Sequence, residues 1–242
     1  MNSPLPHRKT SGYFVSDLHL FSKRSEAERH APALKLAAER AKTFVLGGDI
    51  FDFRWSTLAS TTHTIDRAIR WLDQFVSPFP QCDFHFVLGN HDSHAGFIKA
   101  LDDYSQTRPN LNWHHYFFRS GNDIFLHGDV ADKPRMDQKT LVARRSRYLH
   151  DKQRGTMSNL LYEVAVRVHL HRIVPSVMHR QRRVARRLQH YLDEIGQGRD
   201  NGVHRVYFGH THVPMIDFEY GGQLFNNGGA PMRGIKFRIV EF

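Results

Sequence analysis

The chain has 242 residues, of which 40% are hydrophobic, so it is long and apolar enough to form a globular domain with a full core. Its single cysteine, Cys82, excludes an intramolecular disulfide framework and favours a reducing compartment, so we expect a cytoplasmic protein. The N-terminal segment lacks the apolar core of a signal peptide, and no run of ~18 apolar residues predicts a membrane span.

The formal net charge of +10 at pH 7 predicts an anionic partner such as phosphate, nucleic acid or lipid head groups. This charge is unevenly distributed. Residues 133–199 carry 16 Lys and Arg against 5 Asp and Glu, whereas the rest of the chain carries 18 against 19. The basic character therefore belongs to residues 133–199, which we call the basic insert.

Short apolar runs along the chain have the length of β-strands, and helical patterns separate the first three. Ser25 and Glu28 have the spacing of a capping box before a helical pattern over 31–41, and a second apolar helix face covers 64–76. A hairpin turn is predicted at 120–123. The predicted strands are 13–15, 43–46, 84–88, 123–126 and 203–208, with two more in 221–231 and 235–242. This alternation predicts an α/β protein with crossover helices.

Polar side chains follow five of the predicted strands at the point where each strand ends. The segments are SDLH, GGDIFD, GNHD, HGD and GHTH. Residues just past the carboxyl ends of strands converge on one crevice in an open α/β sheet. The sequence therefore predicts one site, and its ligand candidates are Asp17, His19, Asp49, Asn90, His127, His210 and His212.

These ligand candidates offer oxygen and imidazole donors but no thiolate. Such a set suits Mn²⁺, our first choice, or Fe²⁺, Zn²⁺ or Co²⁺, rather than a structural cysteine-zinc site. One metal ion needs about four protein ligands, so seven candidates predict two ions. Paired ions ~3.5–4 Å apart need a bridging carboxylate, and they clamp the attacking and leaving oxygens of phosphoryl substrates.

In this order, the five segments resemble the motifs of the calcineurin-like metallophosphoesterases, and the resemblance extends over residues 13–242. It implies the family fold, an α/β two-sheet sandwich flanked by helices. It also implies that Asp49 bridges two ions, that His91 faces the phosphoryl group as an acid or charge stabiliser, and that Asp92 orients His91. The implied ligands are Asp17, His19 and His212 for one ion, and Asn90, His127 and His210 for the other.

Each of these residues also has an ordinary structural interpretation, because a lone histidine at a strand end is usually a surface or hydrogen-bonded residue. The order of the five motifs favours the metal-site interpretation over this structural one. We expect Asp52 and Asp129 to support ligands or form turns rather than bind metal. His94, His114 and His115 match no ligand position of the family and are left outside the site.

The basic insert is longer than the ~12–15 residues expected of a plain loop, so we expect it to be structured. Apolar residues recur near helical spacing over 157–178, and an arginine-rich run follows. The insert is therefore either a solvated helical pair or a helical lid. Because it joins HGD to GHTH, we predict a lid of about 133–199 within a single metallophosphoesterase domain, 1–242.

A lid in this place is similar to that of the UDP-2,3-diacylglucosamine pyrophosphatase-like branch, whose members act in lipid A biosynthesis. The resemblance implies an anionic, lipid-linked substrate, UDP-2,3-diacylglucosamine or a related amphiphilic nucleotide or lipid phosphate. It also implies peripheral association with the inner face of the membrane. Apolar faces would accept acyl chains and arginines would accept phosphate or anionic lipid. The substrate-binding candidates are Leu160, Val164, Val168, Arg182, Arg183, Arg186 and Arg187.

Two other classes of protein compete with this interpretation. A metal-dependent nuclease or phosphodiesterase, acting on nucleic acid or small soluble phosphodiesters, would also need a basic surface. The basic insert has no Phe or Trp, which is poor for stacking single strands. A non-catalytic scaffold is expected to lose ligands, whereas all seven positions are filled here. The oligomeric state stays open.

Overall fold

The computed structural model of the protein describes residues 10–155 and 181–242. One five-stranded sheet contains the first part of the chain. Its strands are β1 (Thr10–Val15), β2 (Ala41–Gly47), β3 (Asp83–Val87), β4 (Leu111–His114) and the C-terminal strand β10 (Val240–Glu241). The order is β10-β1-β2-β3-β4, and all neighbours are parallel except β10, which pairs antiparallel with β1 at the edge.

A second five-stranded sheet contains most of the remaining strands. They are β5 (Phe117–Ser120), β6 (Asp123–Leu126), β7 (Arg205–Phe208), β8 (Met215–Tyr220) and β9 (Gln223–Asn227). The order is β5-β6-β7-β9-β8, in which β6, β7 and β9 are parallel and both outer strands are antiparallel to their neighbours. The three parallel strands are mostly buried, as expected of strands covered on both faces.

Five α-helices lie in the described part of the chain: α1 (Ala31–Arg40), α2 (Thr61–Val76), α3 (Ala95–Ser105), α4 (Gln138–Arg145) and α5 (Gln181–Glu194). The apolar faces of α2 and α3 pack on the first sheet. Those of α4 and α5 pack on the second sheet, where Leu188 is fully buried. The two sheets meet face to face, and Phe14 of β1 contacts Phe125 of β6 and Tyr207 of β7. The predicted two-sheet α/β sandwich flanked by helices is confirmed.

The first helix begins differently from the prediction. Glu28 lies in a 3₁₀ turn, Ala27–His30, and α1 starts after it with a proline in its first turn. The Ser25 hydroxyl accepts a hydrogen bond from the backbone N–H of Ala27 instead of capping this helix, so the predicted capping box is wrong. Helix α2 starts at Thr61, where the Ser60 side chain accepts a hydrogen bond from the backbone N–H of His63.

The predicted hairpin around 120–123 is formed by β5 and β6, with Ser120 opposite Asp123. The strand predicted over 235–242 is much shorter, because only Val240–Glu241 pairs with β1. In the basic insert the structure describes α4 and α5, whereas Leu160, Val164 and Val168 lie outside the described residues. None of the helices in 10–155 and 181–242 is long and apolar enough to cross a membrane.

Candidate metal centre

The ligand candidates follow the ends of strands in both sheets. Asp17 and His19 come after β1, Asp49 after β2 and Asn90 after β3, while His127 follows β6 and both His210 and His212 follow β7. The backbone is left-handed at five of them, with φ of 54° at Asp17, 45° at His19, 52° at Asp49, 64° at His210 and 53° at His212. A left-handed residue other than glycine is strained, so the surrounding structure must hold these conformations.

Hydrogen bonds between the loops hold these conformations. The backbone N–H of His210, after β7, donates to both carboxylate oxygens of Asp17 at 2.9 Å. The backbone N–H of His91 donates to Asp49 Oδ1 at 2.8 Å. A Cβ at Gly209 would overlap the Asp17 carboxylate, so this close approach of the two loops requires glycine.

Among the described residues, one cluster of potential ligands consists of Asp17, His19 and His212. His19 Nε2 lies 3.2 Å from His212 Nε2, and His212 Nε2 lies 3.3 Å from Asp17 Oδ1. Asp17 and His19 are buried. Three donor atoms therefore face one point at the end of β1.

A second cluster consists of Asp49, His127 and His210, and Asn90 lies beside it. His127 Nε2 is 3.3 Å from Asp49 Oδ2, 3.1 Å from Asn90 Oδ1 and 3.3 Å from His210 Nδ1. Asp49 Oδ2 also lies 3.9 Å from His19 Nε2 of the first cluster. One carboxylate oxygen therefore faces both clusters.

The donor set fits two divalent cations. Pairs of imidazole nitrogens face each other at 3.2 Å and 3.3 Å, next to buried carboxylates. Buried charged groups of this kind are usually paired or bind metal. Nitrogen and oxygen donors without sulfur suit first-row divalent ions. The clusters thus indicate a dinuclear divalent-metal site.

Asp52 lies behind the first cluster and contacts two histidines. Its Oδ1 is 2.9 Å from His91 Nδ1, and its Oδ2 is 3.4 Å from His19 Nδ1. Carboxylates in this position fix the orientation of imidazole ligands and raise their basicity. Asp52 is fully buried, as a supporting group would be.

Asp92 has other partners than the one we expected. Its carboxylate accepts hydrogen bonds from the backbone N–H groups of Phe51 at 2.9 Å, Gly89 at 3.1 Å and Ile50 at 3.3 Å. It therefore ties the loop after β2 to the loop after β3. The expectation that Asp92 orients His91 is corrected by this geometry, because Asp52 is the carboxylate at His91 Nδ1.

The carboxylates also shift the pKa values of the histidines that they contact. Burial lowers the pKa of His127, but the charge and hydrogen bond of Asp49 outweigh it and raise this pKa to about 9. Burial likewise lowers the pKa of His91, and the negative charges of Asp52 and Asp49 reverse the shift and raise it. Bound cations would favour the deprotonated imidazoles, so metal binding at this site would release protons.

Asp132, which the sequence analysis missed, stands behind the second cluster. It ends the 3₁₀ turn Asp129–Asp132, which begins at the aspartate of HGD, and its Oδ1 lies 2.8 Å from His210 Nε2. Its other oxygen pairs with Arg144 of α4. Burial raises the pKa of Asp132, but His210 and Arg144 outweigh it and lower this pKa. His210 is thereby held with Nδ1 toward the cluster and Nε2 toward a carboxylate.

Two further arginines bind the 3₁₀ turn Asp129–Asp132. Arg145 of α4 is buried and forms a bidentate ion pair with Asp129, with nitrogen–oxygen distances of 2.6 Å and 2.9 Å. This pairing agrees with the supporting role expected of Asp129. Arg187 of α5 donates hydrogen bonds from Nη1 to the backbone carbonyls of Ala131 and Asp132.

The other arginines proposed for substrate binding lie on the exposed side of α5. Arg182, Arg183 and Arg186 are exposed, and Arg182 lies over the ring of Tyr220 at 6.0 Å. Arg187 differs from them, because its described contacts are to backbone carbonyls. His94 caps α3 by accepting from the backbone N–H of Gly96, so it serves a local structural role.

The model of the calcineurin-like phosphoesterase family matches residues 13–214. A solved structure of a dimetal phosphatase from Danio rerio is similar at 13% identity and a TM-score of 0.47, covering 93% of this chain and 88% of that chain. A search of curated proteins gave no match to the sequence.

Proposed function

Because the chain belongs to the calcineurin-like phosphoesterases, hydrolases that act on phosphoesters, we propose that it cleaves a phosphoester or pyrophosphate bond with two divalent ions. The observation that carries this proposal is the position of Asp49. Its Oδ2 lies 3.3 Å from His127 Nε2 and 3.9 Å from His19 Nε2, between the two clusters. A dinuclear site needs a bridging carboxylate in such a position.

The proposed ligand sets follow the two clusters. Asp17, His19 and His212 would hold one ion; Asn90, His127 and His210 would hold the other. Mn²⁺ is the proposed ion because oxygen and imidazole donors without thiolate suit it, with Fe²⁺, Zn²⁺ and Co²⁺ as alternatives. The bound ions would supply charge neutralisation of the phosphoryl oxygens and a nucleophilic water at neutral pH.

His91 is the proposed proton donor or charge stabiliser for the phosphoryl group. Its Nδ1 is fixed by Asp52 at 2.9 Å, which leaves Nε2 as the ring atom that can contact substrate. Its side chain is 15% exposed at the edge of the clusters, so a substrate can reach it. A positioned imidazole of this kind typically contributes about 10²–10⁴-fold to the rate.

An anionic substrate is supported by a cavity of about 550 Å³ that is connected to the second cluster through Arg144 and Asp132. Arg144, which pairs with Asp132, lines one side, and Arg54, two residues after Asp52, lines another. Lys133 and Arg147 add positive charge, whereas Asp151, which also lines the cavity, pairs with Arg54. A cavity of this size accepts a small molecule.

We propose an amphiphilic nucleotide or lipid phosphate as the substrate, with UDP-2,3-diacylglucosamine as the first compound to test. The exposed arginines of α5 and the basic cavity support an anionic substrate, and the proposed lid within the single domain would supply the apolar contacts. Such an enzyme of lipid A biosynthesis would act from the cytoplasm as a peripheral protein of the membrane. The second candidate is a nuclease or phosphodiesterase, which the same positive charge supports.

The bridging assignment is tested by Asp49→Ala in the manganese-loaded protein. We expect loss of both ions or of nearly all turnover of bis(p-nitrophenyl) phosphate, because neither cluster keeps the shared oxygen. Metal content is measured by elemental analysis, and Asp66→Ala, an exposed carboxylate of α2, is the matched control. Normal metal content together with normal turnover in Asp49→Ala would contradict the proposal.

Substrate class is tested by comparing monoesters, diesters, nucleotide sugars and UDP-2,3-diacylglucosamine under one set of conditions. Preference for the acylated nucleotide supports the proposed substrate. Tight binding of duplex DNA that weakens steeply with salt would instead favour the nuclease, because that dependence reports neutralised phosphates.

A further inference from the structure

A second cavity, of about 380 Å³, lies between α5 and the segment that follows the 3₁₀ turn Asp129–Asp132. Its lining residues are Pro134, Arg135, Arg186, Arg187 and His190. Among the described residues it shares no lining with the larger cavity, and none of the ligand candidates of the metal centre borders it. Every lining side chain except the proline carries nitrogen donors, so the cavity suits a ligand rich in acceptors.

Arg187 forms a fixed part of the wall. Its Nη1 donates to the backbone carbonyl of Ala131 at 2.5 Å and to that of Asp132 at 3.1 Å. Burial and the positive charges of Arg183 and Arg186 lower the pKa of Arg187, against the negative charge of Asp132. A guanidinium nevertheless stays protonated at neutral pH. The positive charge of Arg187 is therefore held at the cavity.

The carboxylates near this cavity do not neutralise it. Asp132 contacts His210 through Oδ1 and Arg144 through its other oxygen. Asp193 is the carboxylate that interacts with His190. Within residues 10–155 and 181–242, the side chains of Arg135 and Arg186 form no ion pair or hydrogen bond. Three guanidiniums thus border one cavity, and two of them have their donors available.

The backbone at Arg135 is a second, independent observation. Its φ is 53°, in the left-handed region that costs a residue other than glycine ~1–2 kcal/mol. Strained conformations of this kind cluster at ligand-binding sites. The strain here places a guanidinium on the wall of the cavity.

We infer that this cavity binds a phosphate group, with Arg135 and Arg186 as hydrogen-bond donors and Arg187 as a fixed positive charge. A phosphate dianion offers more acceptor oxygens and more charge than a carboxylate, and its oxygens match the planar fork of arginine. The cavity is large enough for a small phosphorylated molecule. This site goes beyond the proposed function, because it is separate from the metal centre.

The test titrates inorganic phosphate into the manganese-loaded protein by calorimetry. Wild type should bind two phosphates per chain, one at the metal centre and one in the cavity. Asp49→Ala, which is expected to lose its ions, should lose the first binding event and keep the second. Arg135→Gln should keep the first and weaken the second about 10- to 100-fold, the effect of losing a hydrogen bond to a charged group. Arg186→Gln should weaken the same second event.

The controls separate a bound phosphate from a general effect of charge. Arg135→Lys keeps the charge but not the fork, so it should bind the second phosphate more tightly than Arg135→Gln. Arg67→Gln removes an exposed arginine of α2 and should leave both events within about twofold of wild type, because an exposed charge is screened. Melting temperature and manganese content, measured for every variant, show whether it is folded and loaded.

The phosphate group belongs to either a soluble molecule or a lipid head group, and vesicles that contain phosphatidic acid distinguish the two sources. Release of these vesicles by inorganic phosphate, but not by chloride at equal ionic strength, assigns a head group to the cavity. Vesicle binding that phosphate leaves unchanged assigns a soluble ligand.

The inference is overturned if wild type binds a single phosphate that Asp49→Ala loses. It is also overturned if folded Arg135→Gln and Arg186→Gln keep the second event unchanged, or if Arg67→Gln weakens it equally. Wild type that holds no manganese or hydrolyses no ester, while it still binds phosphate in the cavity, would overturn only the proposed function.

Discussion

The two clusters of the candidate metal centre are supported in the same way but by different parts of the chain. Behind the first cluster, Asp52 Oδ2 lies 3.4 Å from the outer nitrogen of His19. Behind the second, Asp132 Oδ1 lies 2.8 Å from the outer nitrogen of His210. Each carboxylate fixes which ring nitrogen faces the cluster.

The remaining partners of these two carboxylates differ. Asp52 also contacts His91, the proposed proton donor, and Arg24. Asp132 instead pairs with Arg144, and its backbone carbonyl accepts from Arg187, so it joins the centre to the basic insert. Asp52 is thus linked to the proposed proton donor, whereas Asp132 is linked to the basic insert. Part of the positive charge of the insert has a structural use.

His91→Ala should have the largest effect of the variants that probe this comparison. We expect turnover to fall about 10²–10⁴-fold while both ions stay bound, because His91 is attached to the first support without being a proposed ligand. Turnover and metal content are measured together, with His63→Ala on the exposed face of α2 as the control. Metal loss with unfolding would make His91 a structural residue.

The supports themselves are compared directly by Asp52→Asn and Asp132→Asn. Each should weaken metal binding about 10–100-fold, the usual cost of losing a carboxylate behind an imidazole ligand. At saturating manganese, Asp52→Asn should still reduce kcat, because His91 and Arg24 lose their common partner. Asp132→Asn should recover most of its kcat under that condition. Equal losses of kcat in the two variants at saturating manganese would contradict the proposed difference between Asp52 and Asp132.

Arg187→Gln and Arg186→Gln test the structural use of the insert, with the smallest expected effects. Removing the Arg187 guanidinium leaves the carbonyls of Ala131 and Asp132 without this donor, at a cost of about 1–3 kcal/mol. The melting temperature should fall by several degrees. Arg186 is exposed, so Arg186→Gln should leave melting unchanged and weaken binding to anionic vesicles by about 1 kcal/mol if the helix lies at the surface. The reverse pattern would assign substrate or membrane binding to Arg187.

Much of the centre could be predicted because its signals are local. A short apolar run followed by aspartate, asparagine or histidine places each ligand at a strand end, and the sheets bring those ends together. Asp132 carried no such signal, since an aspartate in a turn is usual and its partners His210 and Arg187 are 78 and 55 residues away. Arg24 was hidden for the same reason, because only the fold brings it to Asp52.

The missed elements also have physical explanations. Strand β4 contains only Leu111–His114 and lies at a sheet edge, where two polar residues among four hide the apolar pattern. Strand β8 is an edge strand of the second sheet, and its pairing with β9 has an irregular register between Met215 and Phe218. The predicted capping box near Ser25 is wrong because α1 begins only at Ala31, with Pro32 in its first turn, after the 3₁₀ turn.

The left-handed backbone at Asp17, His19, Asp49, His210 and His212 has a consequence for anyone who engineers this protein. Glycine would occupy these positions without the ~1–2 kcal/mol penalty that other L-residues incur there. Selection for heat resistance in metal-free medium would therefore favour glycine at His19, His210 and His212, and the most thermostable variants would be the least active. Asp17 and Asp49 differ, because glycine there would also remove the carboxylates that accept backbone hydrogen bonds from His210 and His91. Manganese in the selection medium reverses this pressure, because an ion that binds only the native state stabilises the chains that keep their ligands.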